Sequence, residues 1–175
     1  MEAIKGRRSI RRFTDQALRD QEVETLLEAV RWTPSWANTQ VWEVILVRDP
    51  AQRQELAETM KMNPGARAVV EAPLVVAMAG RLNISGCAQG RPLTDKGDWY
   101  MFDLGLATQN LCLAAYGLGL GSVVIGFFDT ARVKRILGLP EELEITVLVP
   151  VGHPARESRI PPRRRTEEFT HHDRF

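Results

Sequence analysis

Residues 99–118 read WYMFDLGLATQNLCLAAYGL and carry the longest helical pattern in the chain. Apolar side chains occur on all sides of this helix, and a helix that is apolar all round is buried. In a chain of 175 residues, a sheet can cover one of its faces and a second copy of the chain can cover the other. The stretch therefore predicts a central helix and a homodimer that closes on it.

Four short apolar runs around this helix predict buried strands, because they are too short for helices and rich in β-branched residues. They occupy residues 42–47, 74–79, 123–126 and 145–151. Between them, helical patterns follow Asp20, open at Asp49 and Pro50, and follow Asp129 or Thr130, either of which would cap the last helix; a shorter pattern runs through Glu71 and ends at Pro73. Asp20 is the expected N-cap of the first of these helices. This alternation predicts an internal sheet covered by helices, of the α/β or α+β class.

Composition narrows the class of protein. A hydrophobic content of 44% in 175 residues predicts a single globular domain over residues 1–175. The net charge of +1 argues against a general nucleic-acid or membrane-surface binder. No run of residues is apolar and long enough for a membrane span. We expect no nucleic-acid or membrane partner.

The two cysteines, Cys87 and Cys112, stand alone and no apolar signal segment precedes Arg7, so we expect a cytoplasmic protein with reduced thiols. The three histidines lack metal-ligand spacing with any cysteine or carboxylate cluster, and we expect no metal site.

Residues 7–13 read RRSIRRF and place four guanidinium groups and a hydroxyl beside an apolar anchor. Arginine presents a planar fork of donors that stays charged, so such a segment can hold a phosphate from several directions. The alternative is a solvated basic arm, which charge runs commonly are.

Two further stretches have the composition of functional loops. Residues 34–40, PSWANTQ, are small and polar around one tryptophan and join a helix to a strand. Residues 80–98 lack periodicity, and a connection of that length favours a lid or a mobile rim. Trp36 fits either a partly buried loop anchor or a stacking surface for aromatic substrates.

In this order, the segments resemble motifs of the nitroreductase family of FMN-dependent oxidoreductases. RRSIRRF at 7–13 resembles the family's N-terminal Arg-x-Ser-x-Arg/Lys, and PSWANTQVW at 34–42 its Pro-Ser-x-x-Asn-x-Gln-Pro-Trp. GLGLGSVVIGFF at 117–128 resembles its Gly-Leu-Gly-Ser and the following Ile-Gly-Gly-Phe-like turn, and a basic cluster precedes Glu167 in the tail.

The resemblance implies an α+β, three-layer sandwich with a central mixed sheet flanked by helices. It also implies an obligate homodimer with FMN at the subunit interface and a C-terminal extension exchanged between subunits. NADH or NADPH would be the co-substrate and a small molecule the acceptor.

The resemblance assigns a role to each matching position. Arg7, Ser9, Arg163 and a neighbour such as Arg165 would hold the phosphate, Arg8 would follow the ribityl chain, and Arg11 would reach the pyrimidine edge. There a cation would stabilise negative charge and raise the reduction potential. The other subunit would contribute Pro34, Ser35, Trp36 and Asn38. Finally, Val124, Ile125, Gly126 and Phe127 would line the ring, with a backbone N–H near Gly126 directed at N5; no side chain is expected to act as the catalyst.

The sequence departs from the family pattern at three places. Val41 replaces a proline, Trp36 is bulky where small residues are common, and the lysine that many relatives place before the second strand aligns near Ala68, leaving Arg67 as a substitute. Gly126 could instead mark a strand end, and the arginines at 163–165 a solvated tail.

The leading hypothesis is an enzyme that moves hydride from NAD(P)H through flavin N5 to a nitroaromatic, a quinone or a similar acceptor, in a ping-pong cycle. One alternative is a flavin-dependent dehalogenase or a flavin-fragmenting relative. Another, of a different class, is a non-catalytic flavin- or anion-binding module.

Overall fold

The central sheet of the computed structural model, which describes residues 1–156 and 158–175, has four strands. In chain order the strands are β1 (Trp42–Val47), β2 (Leu74–Arg81), β3 (Cys87–Ala88), β4 (Arg91–Pro92), β5 (Gly121–Ser122) and β6 (Leu143–Gly152). The sheet has the order β1-β2-β6-β5 with antiparallel neighbours, and β3 and β4 form a separate hairpin. A parallel bridge between Ser9 and Ser122 extends the β5 edge and makes the sheet mixed.

Helices cover both faces of the sheet. They are α1 (Glu2–Gly6), α2 (Asp20–Arg31), α3 (Pro50–Glu58), α4 (Ala66–Glu71), α5 (Tyr100–Gly117) and α6 (Thr130–Leu137). Successive strand side chains point to opposite faces, so Val75 and Ala77 join the core beneath α3, α4 and α6, whereas Val76 and Met78 join the core beneath α2 and α5. The expected three-layer α+β sandwich is confirmed. Within the described residues, no helix has both the length and the apolar content needed to cross a membrane.

The long central helix predicted from residues 99–118 is α5, which is shorter than predicted by one residue at each end. Leu104, Leu111 and Cys112 are buried against the sheet and α2. Met101 and Phe102 remain 54% and 58% exposed, so the chain covers one face of the helix and leaves part of the other open.

Two sequence predictions differ from the structure, and one short helix was not predicted. The strand expected at 123–126 is displaced: β5 covers Gly121–Ser122, and further on Ile125 makes an isolated bridge to Leu148 while Val124 and Gly126 are exposed. Asp20 is not the N-cap of α2; Arg19 is, because the Glu22 carboxylate accepts its backbone N–H at 2.8 Å. The five-residue helix α1 was not predicted, because a single polar turn has no hydrophobic period.

Candidate functional site

The basic segment 7–13 lies along the β5 edge of the sheet. Ser9 is bridged to Ser122, and the Ile10 N–H donates to the Ser122 carbonyl at 2.9 Å. Ile10 and Phe13 are buried and fix the segment to the core. Because side chains alternate along an extended segment, burying Ile10 directs its neighbours Ser9 and Arg11 away from the core.

A cavity of about 420 Å³ opens beside this segment. Its lining comes from both ends of the chain: Arg7, Arg8, Ser9 and Arg11, and Ser158, Arg159, Pro161 and Arg163. None of these described lining residues is acidic. Five guanidinium groups and two hydroxyls therefore surround one space, which is the donor set that a phosphate dianion requires.

The Arg8 guanidinium supports this reading of the cavity. One of its terminal nitrogens donates to the Arg7 carbonyl at 2.6 Å. Its Nε is buried and has no hydrogen-bond partner among the described residues. A buried donor without an acceptor is costly, and an anionic ligand in the cavity would supply one.

Arg12 belongs to a different environment from its three neighbours. Its Nε donates to both oxygens of Glu71, at 3.1 and 3.0 Å, and the Phe13 N–H donates to the same carboxylate at 3.3 Å. Arg67, the suggested substitute for the family's lysine, donates to Glu71 at 2.5 Å. Burial acts to raise the pKa of Glu71, but the hydrogen bonds from Arg67, Arg12 and Phe13 outweigh it and hold the pKa below its ordinary value. Arg12 thus fastens the segment to α4 and leaves ligand contact to the other three arginines.

A larger cavity of about 830 Å³ adjoins the first and shares Arg7, Arg8 and Ser158 with it. Its walls include the side chains of Ile10, Leu120, Tyr116 and Ile160. The arginine cavity therefore continues into a larger space whose walls are partly apolar and also include Glu2 and Lys5; residues 124–127 are not among its described lining.

The loop at 34–40 is tightly bent and lies at another place on the chain. The Ser35 hydroxyl accepts the Gln40 N–H at 2.9 Å, and Ala37, Asn38 and Gln40 all have positive φ angles. Pro34 and Asn38 line a separate cavity of about 400 Å³ that has no lining residue in common with the arginine cavity. Trp36 is half-buried, with its ring centroid 5.0 Å from that of Trp99.

Residues 124–127 present an open surface beyond β5. Val124, Gly126 and Phe127 are exposed, and a Cβ added at Gly126 would meet no atom nearer than 3.9 Å. Among the described residues of one chain, nothing occupies the space over Gly126. The side chain of Ile125 is instead buried in the core, so this residue can offer a ligand only its backbone.

The two tail arginines that the sequence suggested as phosphate ligands lie in different surroundings. Arg163 lines the arginine cavity, whereas Arg165 pairs with Glu167 at 3.1 Å and is not part of its lining. Ser158, Arg159 and Pro161 line the cavity and were not predicted. The run SRIPPRR was the available signal, since prolines stiffen a segment and can aim its cations.

Comparison with known proteins agrees with this geometry. A model described as "Nitroreductase family" matches residues 4–153. An NADH dehydrogenase of Thermus thermophilus is 32% identical, with 86% of this chain and 84% of that protein covered. An NADPH-flavin oxidoreductase of Vibrio harveyi is 31% identical and is covered over 74% of its length by 100% of this chain. The crystal structure of an NADPH:FMN oxidoreductase from Vibrio harveyi, in complex with NAD+, superposes with a TM-score of 0.83 at 26% identity, over 99% of this chain and 76% of that one.

Proposed function

The chain belongs to the nitroreductase family and is an FMN-dependent NAD(P)H oxidoreductase, and from this premise we propose which residues hold the flavin and what it reduces. The chemistry that a bound FMN would supply is hydride transfer at N5, from NADH or NADPH to a nitroaromatic, a quinone or a similar acceptor. The two substrates would use the site in turn, in a ping-pong cycle in which the nicotinamide leaves before the acceptor binds.

Arg7, Ser9 and Arg163 hold the phosphate. The observation that carries this assignment is the meeting of N-terminal and C-terminal arginines around one cavity of about 420 Å³. Hydrogen bonds between guanidinium groups and a phosphate are charge-assisted and roughly twice as strong as neutral ones. Arg159, which lines the same cavity, is a further phosphate donor; Arg165 would need to leave Glu167 to join it.

Arg8 and Arg11 act on the rest of the flavin. The unpartnered Nε of Arg8 donates to the ribityl chain. Arg11 reaches the pyrimidine edge of the ring, where its positive charge raises the reduction potential. The open backbone at 124–127 would line the ring, and Gly126, which has no side chain, would leave room for a backbone N–H near N5.

The second subunit completes the site. Pro34, Ser35, Trp36 and Asn38 lie away from the arginine cavity of their own chain, which is expected if they serve the flavin of the partner. The open face of α5 at Met101 and Phe102 supplies a surface on which a second copy can pack, and the exposed residues 164–175, beyond the arginine cavity, supply a tail that can cross to the other subunit. We further propose that the enzyme works in the cytoplasm, where the lone cysteines stay reduced.

An absorption spectrum tests the proposal most directly. The protein, purified and incubated with FMN, should keep a visible flavin spectrum after desalting, and the spectrum should bleach with NADH or NADPH under anaerobic conditions. Adding a quinone or a nitroaromatic should restore the colour, and product inhibition should follow a ping-pong pattern. A protein that retains no FMN, or whose bound FMN is not reduced by either nucleotide, would contradict the proposed function.

A further inference from the structure

Asp103 is a carboxylate in the first turn of α5 with 1% of its surface exposed. Its Oδ1 accepts the backbone N–H of Trp36 at 3.1 Å, and its Oδ2 accepts the hydroxyl of Ser85 at 2.7 Å. Burying a carboxylate is costly unless its oxygens accept hydrogen bonds, and an apolar residue would fill this place at less cost. The residue is therefore explained by the two contacts it makes.

The Trp36 contact fixes the start of the bent loop. Directly after Trp36, Ala37 and Asn38 have φ angles of 44° and 58°, and Gln40 has one of 49°. Non-glycine residues with such angles persist only where the surroundings hold them. The hydrogen bond from the Trp36 N–H to Asp103 restrains the loop from outside, at the residue where the bend begins.

The Ser85 contact ties the same carboxylate to residues 82–99. Ser85 is fully buried, and its carbonyl accepts the Trp99 N–H at 3.0 Å. The Trp99 ring packs on Gly86, where an added Cβ would lie 2.3 Å from it, and on the rings of Trp36 and Phe102. The two segments thus meet twice, once through Asp103 and once through the tryptophan pair.

We propose that Asp103 is a positioning residue that joins the loop at 34–40 to the rim at 82–99 and sets the loop in the geometry that receives the FMN of the partner subunit. It touches neither flavin nor substrate. This role rests on the proposed function, because it assumes that the loop faces a flavin.

The test compares three variants by FMN titration and by far-ultraviolet circular dichroism of the FMN-free protein, where the exciton couplet of two indole rings appears. Asp103→Ala removes both acceptors. Asp103→Asn keeps the volume, and its carbonyl can accept from Trp36 while its amide donates to the Ser85 oxygen. Leu104→Ala, at the next and equally buried position, is the control for general destabilisation. The dichroism couplet of the Trp36–Trp99 pair reports the loop geometry, and its absence in Trp99→Phe assigns it.

For Asp103→Ala we expect a rise in the FMN dissociation constant of roughly tenfold, because the binding-competent loop becomes a minor state. We also expect loss of the tryptophan couplet. Asp103→Asn should stay within about twofold of the wild type in affinity and keep the couplet. Leu104→Ala should lower the melting temperature without either change. If Asp103→Ala does not fold, Asp103→Ser, whose hydroxyl is too short to reach both partners, replaces it with the same expected results.

Four results would overturn the role: unchanged FMN affinity in the Asp103 variant, weaker affinity with the couplet intact, failure of the asparagine to restore binding, or an equal loss of affinity in Leu104→Ala. Ser85→Ala keeps an acceptor for the Trp36 N–H, so its FMN affinity should stay within about twofold of the wild type while the KM for the acceptor rises. A tenfold loss of FMN affinity in Ser85→Ala would contradict the view that Asp103 acts on FMN binding through its hydrogen bond with Trp36. A wild-type protein that binds no FMN would remove the proposed function itself, whereas wild-type and Asp103→Ala proteins with equal affinity would remove only this role.

Discussion

Arg7 and Arg163 are separated by almost the whole chain and line the same cavity. We predict that Arg7→Ala or Arg163→Ala weakens FMN binding by about 10- to 100-fold, the loss expected for one hydrogen bond to a charged group. Riboflavin, which lacks the phosphate, should bind the variants as it binds the wild type. Fluorescence titration with both ligands measures the difference.

Arg12→Ala is the matched control for that comparison, since its guanidinium is held by Glu71 and does not line the cavity. It should leave the ratio of FMN to riboflavin affinity unchanged. An equal effect of Arg7→Ala on both ligands would show that the residue acts on the fold and not on the phosphate.

Glu71 gives the protein a specific sensitivity to acid. Its pKa is held below the ordinary value in the folded state, so its stabilising effect is complete above that ordinary value, about 4.3, and is lost as the pH falls through the depressed pKa. Glu71→Gln should therefore lower the melting temperature at pH 7, and the difference from the wild type should shrink below about pH 4. A difference that stays constant from pH 7 to pH 3 would contradict this account.

At the scale of elements, the hydrophobic periodicity of the sequence predicted the long helices well. The period predicted α2 and α5 to within about one or two residues, which is the usual precision of helix ends. It failed at residues 121–126, because the apolar run VVI continues past Ser122, where β5 ends, and Val124 in that run is exposed. Periodicity records which side chains are apolar and not where a partner strand ends.

The candidate site was predicted more completely at its N-terminal side than elsewhere. Arg7, Arg8, Ser9 and Arg11 share one motif, and all four line the cavity. Arg159 and Ser158 depend on how a tail with no regular structure folds back, and Asp103 and Ser85 meet only through tertiary contact. A lone acidic residue in an otherwise apolar helix was the one available signal for Asp103.

Gly121 decides how closely the basic segment can approach the sheet. A Cβ at this position would lie 2.7 Å from the Cβ of Ile10, whose branched, buried side chain has no room to move. Gly121→Ala should lower the free energy of unfolding by about 1–3 kcal/mol and weaken FMN binding by displacing Arg11. Chemical denaturation and FMN titration measure the two effects.

Gly117, at the end of α5, is the control for Gly121, because a Cβ added there would meet no atom within 4 Å. Gly117→Ala should be neutral or slightly stabilising, since alanine favours the helix. If both substitutions destabilise equally, the close approach of the basic segment is not the cause.

At the scale of the whole molecule, the chain divides the proposed flavin contacts between two places. The arginines surround one cavity, and the loop at 34–40 borders another. The exposed apolar side chains of Met101 and Phe102 on α5 give the surface on which two copies could join them. A site assembled in this way makes the oligomer a condition of binding and not an addition to it.

Subunit complementation tests that division. Arg11→Ala and Asn38→Ala should each abolish most NAD(P)H oxidation when expressed alone, because every site in either homodimer lacks one contact. In a mixed dimer, one site carries both substitutions and the other carries neither. Random association gives mixed dimers half of the time, so co-expression should return about a quarter of the wild-type sites.

Separately purified and briefly mixed variants should recover less, because the subunits must first exchange. Co-expressed variants with no activity above the single variants would mean that both residues serve the flavin of their own chain.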